Sequence, residues 1–452
     1  MIKFYNTIER AKVDFKPINK GKVYLYTCGP TVYDFAHIGN FRAYIFEDLL
    51  RRTLEFSGFE VLHVMNLTDI DDKTIKKANK EAVPLEKFTN KYINAFHEDV
   101  KRLNIIPAHH YPKATEFIDG MVSMILSLEK KGYTYTTEDG SVFFKISKYK
   151  NYGRLANLKP EDFVLGDRVE NDEYEKEEMR DFALWKGYKE SEGDIFWNSP
   201  WGKGRPGWHI ECSVMSSHYL GNHFDIHCGG VDNIFPHHEN EIAQSRCATG
   251  EEFVNYWLHN EHLLVDNQKM SKSLGNFYTI RDLLEKGFTP ESIRYTLIST
   301  HYRQKLNFTL EKLKSSQKSI NKIKELKRRV ELIDKSHKSG EDFSEDSSNM
   351  IKNFSNCLDN DLNISGALGE VFIWANKIFK YLDDNNISAN GRANILKSLD
   401  AVDLVLGIIN TDSKEIESNE KIQSLLEKRK EARESKDWSL ADEIRREIDE
   451  LG

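Results

Sequence analysis

A strand, a helix and a second strand near the N-terminus constrain the fold more than any other feature of the chain. Lys22 to Thr27 (KVYLYT) is a short β-rich run that ends at Cys28-Gly29-Pro30. Residues 36–56 carry apolar side chains at helical spacing, with Ile45, Leu49 and the Arg52/Thr53 step setting the period and Phe46 and Leu50 beside them. Gly58 breaks the chain, and Glu60 to Leu67 (EVLHVMNL) reads as a strand again. Such a βαβ unit wants a parallel sheet. A second α/β region follows the same logic: Phe224 to His227 is a strand, Phe235 to Ala248 a helix, and 253–265 another strand or helix–strand junction.

The rest of the chain divides around these regions. Its 452 residues suggest roughly three domains at about 150 residues each. Residues 84–131 look helical, interrupted at Ile106-Pro107, and 133–165 read as short strands and turns. The acidic stretch 170–180 (ENDEYEKEEMR) reads as a solvated loop. From about 280 onward the pattern is helical. Ile320, Ile323, Leu326, Val330 and Ile333 form one stripe, with Lys318, Lys322, Lys324, Lys327, Arg328 and Arg329 on the other face. Residues 335–349 read as a polar linker, and 421–451 as a last helix.

Charge and cysteine content narrow the function classes. The 64 basic and 72 acidic residues leave a net charge of −8, against a generally basic nucleic-acid coat. With 25 Phe, 19 Tyr and 7 Trp the chain can fill a sizeable core, so it is not wholly disordered. The 5 Cys include no C-x-x-C pair, which argues against a disulfide framework or a zinc ribbon. No run reaches the ~18 apolar residues of a membrane span, and the charged start MIKFYNTIER carries no export signal. The expectation is a cytoplasmic, multidomain protein without a membrane partner.

Three clusters can carry chemistry. In Pro236-His237-His238-Glu239-Asn240-Glu241, His237 and Glu241 stand at i and i+4 and share a face if the segment is helical. Imidazole and carboxylate are ordinary zinc ligands, and thiolates from Cys28 and Cys212 would complete a four-ligand site; spacing alone leaves open whether these positions meet. His37-Ile38-Gly39-Asn40 sits where a helix begins, offering free N–H groups to a phosphate. Lys269-Met270-Ser271-Lys272-Ser273 puts two mobile cations on a short loop, suited to polyphosphate. By contrast, Gly202-Lys203-Gly204-Arg205-Pro206-Gly207 matches the dinucleotide pattern only literally, because Asn198-Ser199-Pro200 stands where the buried strand should be.

In this order the clusters resemble the cysteinyl-tRNA synthetases, a family of class I aminoacyl-tRNA synthetases. The matching residues are Cys28 to Asp34, His37 to Gly39, Asn66 to Lys73, Gly204 to Cys212, Pro236 to Gln244 and Lys269 to Ser273. The resemblance implies an α/β Rossmann-like catalytic domain with an inserted connective domain, followed by all-α stem-contact and helical-bundle domains. Its boundaries are 1–120 and 201–265 for the two catalytic halves, 121–200 for the insertion and 266–304 for the stem-contact region with the signature loop. A helical tRNA-binding bundle would span 305–405 and an anticodon-side segment 406–452.

The resemblance also implies roles. One Zn2+ would be held by Cys28, Cys212, His237 and Glu241 and would bind the thiolate of L-cysteine. Cys28, Gly29, Thr68 and Trp208 would surround the amino acid. ATP, carried with Mg2+, would meet Thr31, His37, Gly39, Asn40, Gly230, Asp232, Lys269 and Lys272, with His37, Lys269 and Lys272 catalytic. The partner would be tRNA(Cys) and the protein a monomer. Asn40 departs from the family's histidine: it keeps a hydrogen-bond donor but is never cationic. Two rivals share parts of this pattern: a cysteine ligase acting on an aminosugar in the mycothiol pathway, and a non-catalytic zinc-stabilised RNA-binding protein. The long helical region after 305 disfavours the first, and the presence of His37, Lys269 and Lys272 the second.

Overall fold

The structure, a computed structural model, describes residues 1–158, 163–169, 179–271, 274–410 and Leu440. Lys272 and the helix expected over 421–451, Leu440 apart, lie outside the described residues, as does most of the acidic stretch 170–180. Among the described residues no helix is long and apolar enough to cross a membrane.

The centre is a four-stranded, wholly parallel sheet. We label its elements in chain order: β1 (Lys22–Thr27), α1 (Ile38–Phe56), β2 (Glu60–Met65), α2 (Asp72–Glu81), α3 (Trp208–Leu220), β3 (Phe224–Gly230), α4 (Glu239–Thr249) and β4 (Val254–Asn260). The strand order is β4-β3-β1-β2. Both halves of the sequence thus contribute two neighbouring strands, and the order reverses between β1 and β3. In open α/β sheets that switch point, at the carboxyl ends of the strands, is where ligands bind.

The insertion is built on a different sheet. Its strands fall between Thr134 and Pro206, and all their pairings are antiparallel except that of Phe163–Val169 with Met179–Gly187. The glycine-rich decoy forms the strand Gly202–Pro206 of that sheet and feeds directly into α3. A Cβ on Gly204 would lie 2.3 Å from the Lys186 carbonyl oxygen, so the glycine there serves strand packing.

Three expectations need correction. The stem-contact region is not all-α: Leu263–Val265 pairs parallel with Leu306–Phe308 and antiparallel with Gln268–Lys269. These runs were too short to show a period of two. The helix expected from Phe235 begins at Glu239, because Phe235 is extended (φ −136°, ψ 132°) and residues 234–238 form one wide turn. The polar linker is shorter than its composition suggests, since a helix spans Ser344–Asp359. On either side of it, the helices Leu310–Glu331, Ile364–Asp383 and Ala389–Leu406 share one apolar core with α1 and with the helix Pro290–Ile298.

Candidate active site and metal centre

Four donors converge where β1, α3 and α4 meet. Cys28 follows β1, and its amide N lies 3.3 Å from the Cys228 carbonyl oxygen of β3. Cys212 is on α3, Glu241 on α4, and His237 in the wide turn before α4. Their Sγ, N and O ligand atoms all lie within 4.8 Å of one another. Spacing in the sequence could not show this meeting.

The electrostatics fit a cation. Cys212, His237 and Glu241 are buried at 1, 2 and 0 % exposure. The thiols of Cys28 and Cys212 hydrogen-bond each other, which pulls Cys212 well below the usual thiol range and, with burial added, pushes Cys28 well above it. Burial pushes Glu241 up, and the Cys212 charge adds to the effect. Its Oε1 is buried without a well-formed hydrogen bond, 3.2 Å from His237 Nε2. Two sulfurs, an imidazole and a buried carboxylate in such proximity form a donor set that a divalent ion would relieve by displacing protons. Thiolate, imidazole and carboxylate at bond lengths of about 2.0–2.3 Å are the ligands of zinc.

A ring of histidines surrounds this set, and sequence reasoning passed over it. His209 Nδ1 lies 2.9 Å from His237 Nδ1. His238 reaches Cys28 Sγ at 3.3 Å and His259 at 2.8 Å, and His259 meets the Thr7 hydroxyl at 2.7 Å. His227 Nε2 is 3.0 Å from Glu241 Oε2. Burial lowers all four rings, His227 and His259 to about 3, so they act as neutral hydrogen-bonding groups. Cys28, His227, His238 and Glu241 form a second, overlapping set within 4.8 Å. The signal for His238 was present beside His237; His227 was hidden in an apolar strand.

The other expected residues within the described chain stand at the start of α1 and of α3, after β1 and β2, at the end of β3 and just after it, and in the loop after Leu263–Val265. His37 caps α1: its Nδ1 accepts from the Asn40 amide (3.1 Å), while Asn40 Oδ1 accepts from the His37 amide (3.0 Å). Asn40 therefore has a structural reason to be there, namely closing the capping box. The signature loop folds back on this point. The Ile38 amide donates to the Tyr278 carbonyl (3.0 Å), and the Phe277 ring stands edge-on to His37 at 5.3 Å. A Cβ on Gly39 would lie 2.9 Å from the His37 ring and 3.3 Å from the Met270 methyl, so a bare glycine lets the two segments meet. Lys269, exposed, precedes Met270, and Asn276 braces the loop by accepting from the Ser271 amide (2.8 Å).

On the opposite wall, Trp208 lays its ring on His237 at 4.2 Å. Gly29 donates its amide to Asn66 Oδ1 (2.9 Å), and a Cβ there would overlap the Asn66 carbonyl at 1.8 Å. Thr31 bridges to Thr68, whose hydroxyl donates to Glu211 Oε2 at 3.2 Å. Thr68 is 1 % exposed, so it braces the wall from behind. Gly230 ends β3, and Asp232 is exposed in the turn after it.

The family described as "tRNA synthetases class I (C) catalytic domain" matches residues 14–318. The chain belongs to this family. A Brachyspira hyodysenteriae protein named Cysteine–tRNA ligase is 51 % identical over 459 residues, covering 100 % of this chain and 96 % of its own length. A Protochlamydia amoebophila protein of the same name is 47 % identical over 454 residues, covering 100 % and 95 %. Solved class I synthetases share the fold at low identity. Mycobacterium tuberculosis methionyl-tRNA synthetase superposes with a TM-score of 0.64 at 15 % identity, over 90 % of this chain and 94 % of that one. Agrobacterium radiobacter LeuRS gives 0.61 at 12 %, over 88 % and 85 %. The Rossmann-like sheet with its helical continuation is therefore the family's architecture.

Proposed function

We propose that the chain is a cysteine–tRNA ligase, which activates L-cysteine with ATP to cysteinyl-adenylate and pyrophosphate and then transfers the cysteinyl group to the 3′ end of tRNA(Cys). The observation that carries this reading is the Cys28, Cys212, His237 and Glu241 cluster, in one chain with the contact between Gly39 and Met270 at the start of α1. One feature selects a thiol; the other brings a helix N-terminus and a lysine loop to a polyphosphate. Full-length relatives named Cysteine–tRNA ligase support it.

In this reading zinc is held by Cys28, Cys212, His237 and Glu241, and it supplies a borderline-soft Lewis acid that prefers a thiolate to a hydroxyl. Losing a specific polar partner costs a wrong substrate 10⁴-fold or more, against about 10–200-fold for a methyl-sized mismatch. Serine is thereby rejected without editing. Trp208 closes over the small side chain, while Gly29 and Thr68 hold the wall behind it. The cysteine carboxylate attacks the α-phosphorus in line. It is already ionised, so positioning and electrostatics do the catalysis. His37 meets the phosphates, Gly39 and Asn40 keep that helix end open to them, and Thr31, Gly230 and Asp232 contact the nucleoside side. Lys269 and Lys272 stabilise the charge on pyrophosphate, which leaves with Mg2+. The protein works as a cytoplasmic monomer, and the helices beyond residue 305 carry the tRNA.

Amino-acid-dependent ATP–pyrophosphate exchange tests the reading. Cysteine should support exchange and serine should not. Chelation should abolish the signal and zinc restore it. Exchange with another amino acid, or none with cysteine, would overturn it.

A further inference from the structure

The strand Gly202–Pro206 and its neighbour Met179–Gly187 pair in a register that sets Arg205 directly opposite Lys186. Two cations facing each other across a sheet repel. Both are nearly buried, at 3 and 8 % exposure, so water screens little of that repulsion. Glu192, also in the insertion, takes Arg205 Nε (2.9 Å).

A carboxylate shared by both cations comes from the catalytic sheet's side. Asp72 is the first residue of α2, and its backbone is fixed by the Asp71–Thr74 capping box (Thr74 N to Asp71 Oδ1 2.7 Å). Its Oδ2 accepts from Lys186 Nζ at 3.0 Å, and its Oδ1 takes the Arg205 guanidinium. Burial alone would push this carboxyl up, yet Lys186 and Arg205 hold it at about 2. These groups form one end of a cavity of about 380 Å³ between α2 and the inserted sheet.

The position of the bridge in the chain gives it a consequence. Asp72 ends the segment that starts at Asn66 and includes Thr68. Arg205 leads through Pro206 and Gly207 into Trp208 and Cys212. Gly207 is pinned, with its amide on the Leu184 carbonyl (2.9 Å) and no room for a Cβ beside the Ala183 carbonyl (2.1 Å). The same two segments meet once more, at the Thr68–Glu211 hydrogen bond. These are the two walls of the amino-acid pocket. The nucleotide-side residues His37, Gly230 and Lys269 stand on segments the bridge does not touch.

We propose that Asp72 is a positioning residue, a clamp that sets the distance between the Thr68 wall and the Trp208 wall of the cysteine pocket. The proposal rests on the cysteine-activation reading above. Small displacements of a wall cost binding of a small substrate far more than they cost stability.

Exchange kinetics on the full-length, zinc-loaded protein test it. Asp72→Asn should raise KM for cysteine by about tenfold to a hundredfold, with KM for ATP within about twofold and zinc content unchanged. Asp72→Asn also removes a counter-charge that two nearly buried cations share, so a second variant separates clamp from scaffold. In D72N/K186M the repulsion is gone and the melting temperature should return toward that of the unmodified protein, while KM for cysteine stays high. A double variant with normal KM for cysteine, or single-variant KM values for cysteine and ATP that rise together, would overturn the clamp. If the unmodified protein supports no cysteine-dependent exchange, both readings fall. If it does and Asp72→Asn matches it, the clamp alone falls.

Discussion

At the residue scale, Glu47 is a side chain ill suited to its surroundings. It lies on α1 at 0 % exposure, and neither carboxylate oxygen has a well-formed hydrogen bond. Burial raises it to about 8, only partly offset by the nearby Thr27 hydroxyl. The folded protein therefore keeps Glu47 protonated at neutral pH, whereas the unfolded chain ionises it from about 4.5 upward. Between those values the unfolded state binds fewer protons, so stability falls as pH rises. By pH 8 the loss from this one group reaches roughly 4 kcal/mol. Glu47→Gln removes the ionisation and keeps the shape. Urea unfolding of both proteins at pH 5 and pH 8 should show the variant gaining on the parent by roughly 3–4 kcal/mol across that interval. Equal pH slopes would mean that Glu47 finds a counter-charge.

At the scale of the element, α1 shows what the sequence could and could not reveal. Its apolar spacing and its start at His37 were legible, because both are local. Its interior charges were not. Asp48 is 2 % exposed and takes Arg52 Nε (2.8 Å) from its own helix and Arg294 NH2 from the helix Pro290–Ile298 (2.5 Å). Burial pushes Asp48 up, but Arg294 and Arg52 hold it below the ordinary carboxylate range. A charged side chain such as Asp48 reads as solvent face until its partner across 246 residues, Arg294, is known. That the zinc-type donors meet could not be read from spacing for the same reason: Cys28 and Cys212 lie on elements that only the sheet brings together. The strand Leu263–Val265 falls within the expected strand or junction over 253–265, whereas Leu306–Phe308 was missed because three residues hold no period. Breaking a buried pair by deleting one partner costs about 3–5 kcal/mol. Asp48→Ala should lose that much in urea unfolding, since it strands the buried Arg294. A loss below about 1 kcal/mol would mean that Arg294 is satisfied by its carbonyl contacts alone.

On the scale of the whole molecule, the helices after residue 305 are bound to the sheet rather than hung from it. Arg294 Nε donates to the Leu406 carbonyl (2.6 Å) and Arg52 NH1 to the Leu404 carbonyl (2.9 Å). Three cations on the helix Leu310–Glu331 are spent internally: Lys324 on Glu291 at 2.6 Å, Lys322 on Asn376 at 2.6 Å, Arg329 on Asp383 at 2.8 Å. The basic face of that helix is thus partly a set of struts between helices. The tightest of the ties is Asp361, at 0 % exposure in the turn between Ser344–Asp359 and Ile364–Asp383. It accepts from the Tyr5 amide (2.9 Å), the Tyr302 hydroxyl (2.6 Å) and Arg303 NH2 (2.6 Å). One carboxylate thereby joins the N-terminal strand, the turn after Pro290–Ile298 and the helical bundle. Asp361→Asn keeps the size and drops the charge. Because the Arg303 side chain is 32 % exposed, the cost should sit at the low end for a buried pair, about 2 kcal/mol. The functional effect should be uneven. Cysteine-dependent exchange uses only the crevice over the parallel sheet and should change by less than about threefold. Charging of tRNA needs the distal helices held at a fixed distance from that crevice and should fall by about tenfold or more. Parallel assays of exchange and aminoacylation on the variant decide the point. If both activities fall in step with stability, Asp361 is a scaffold residue only.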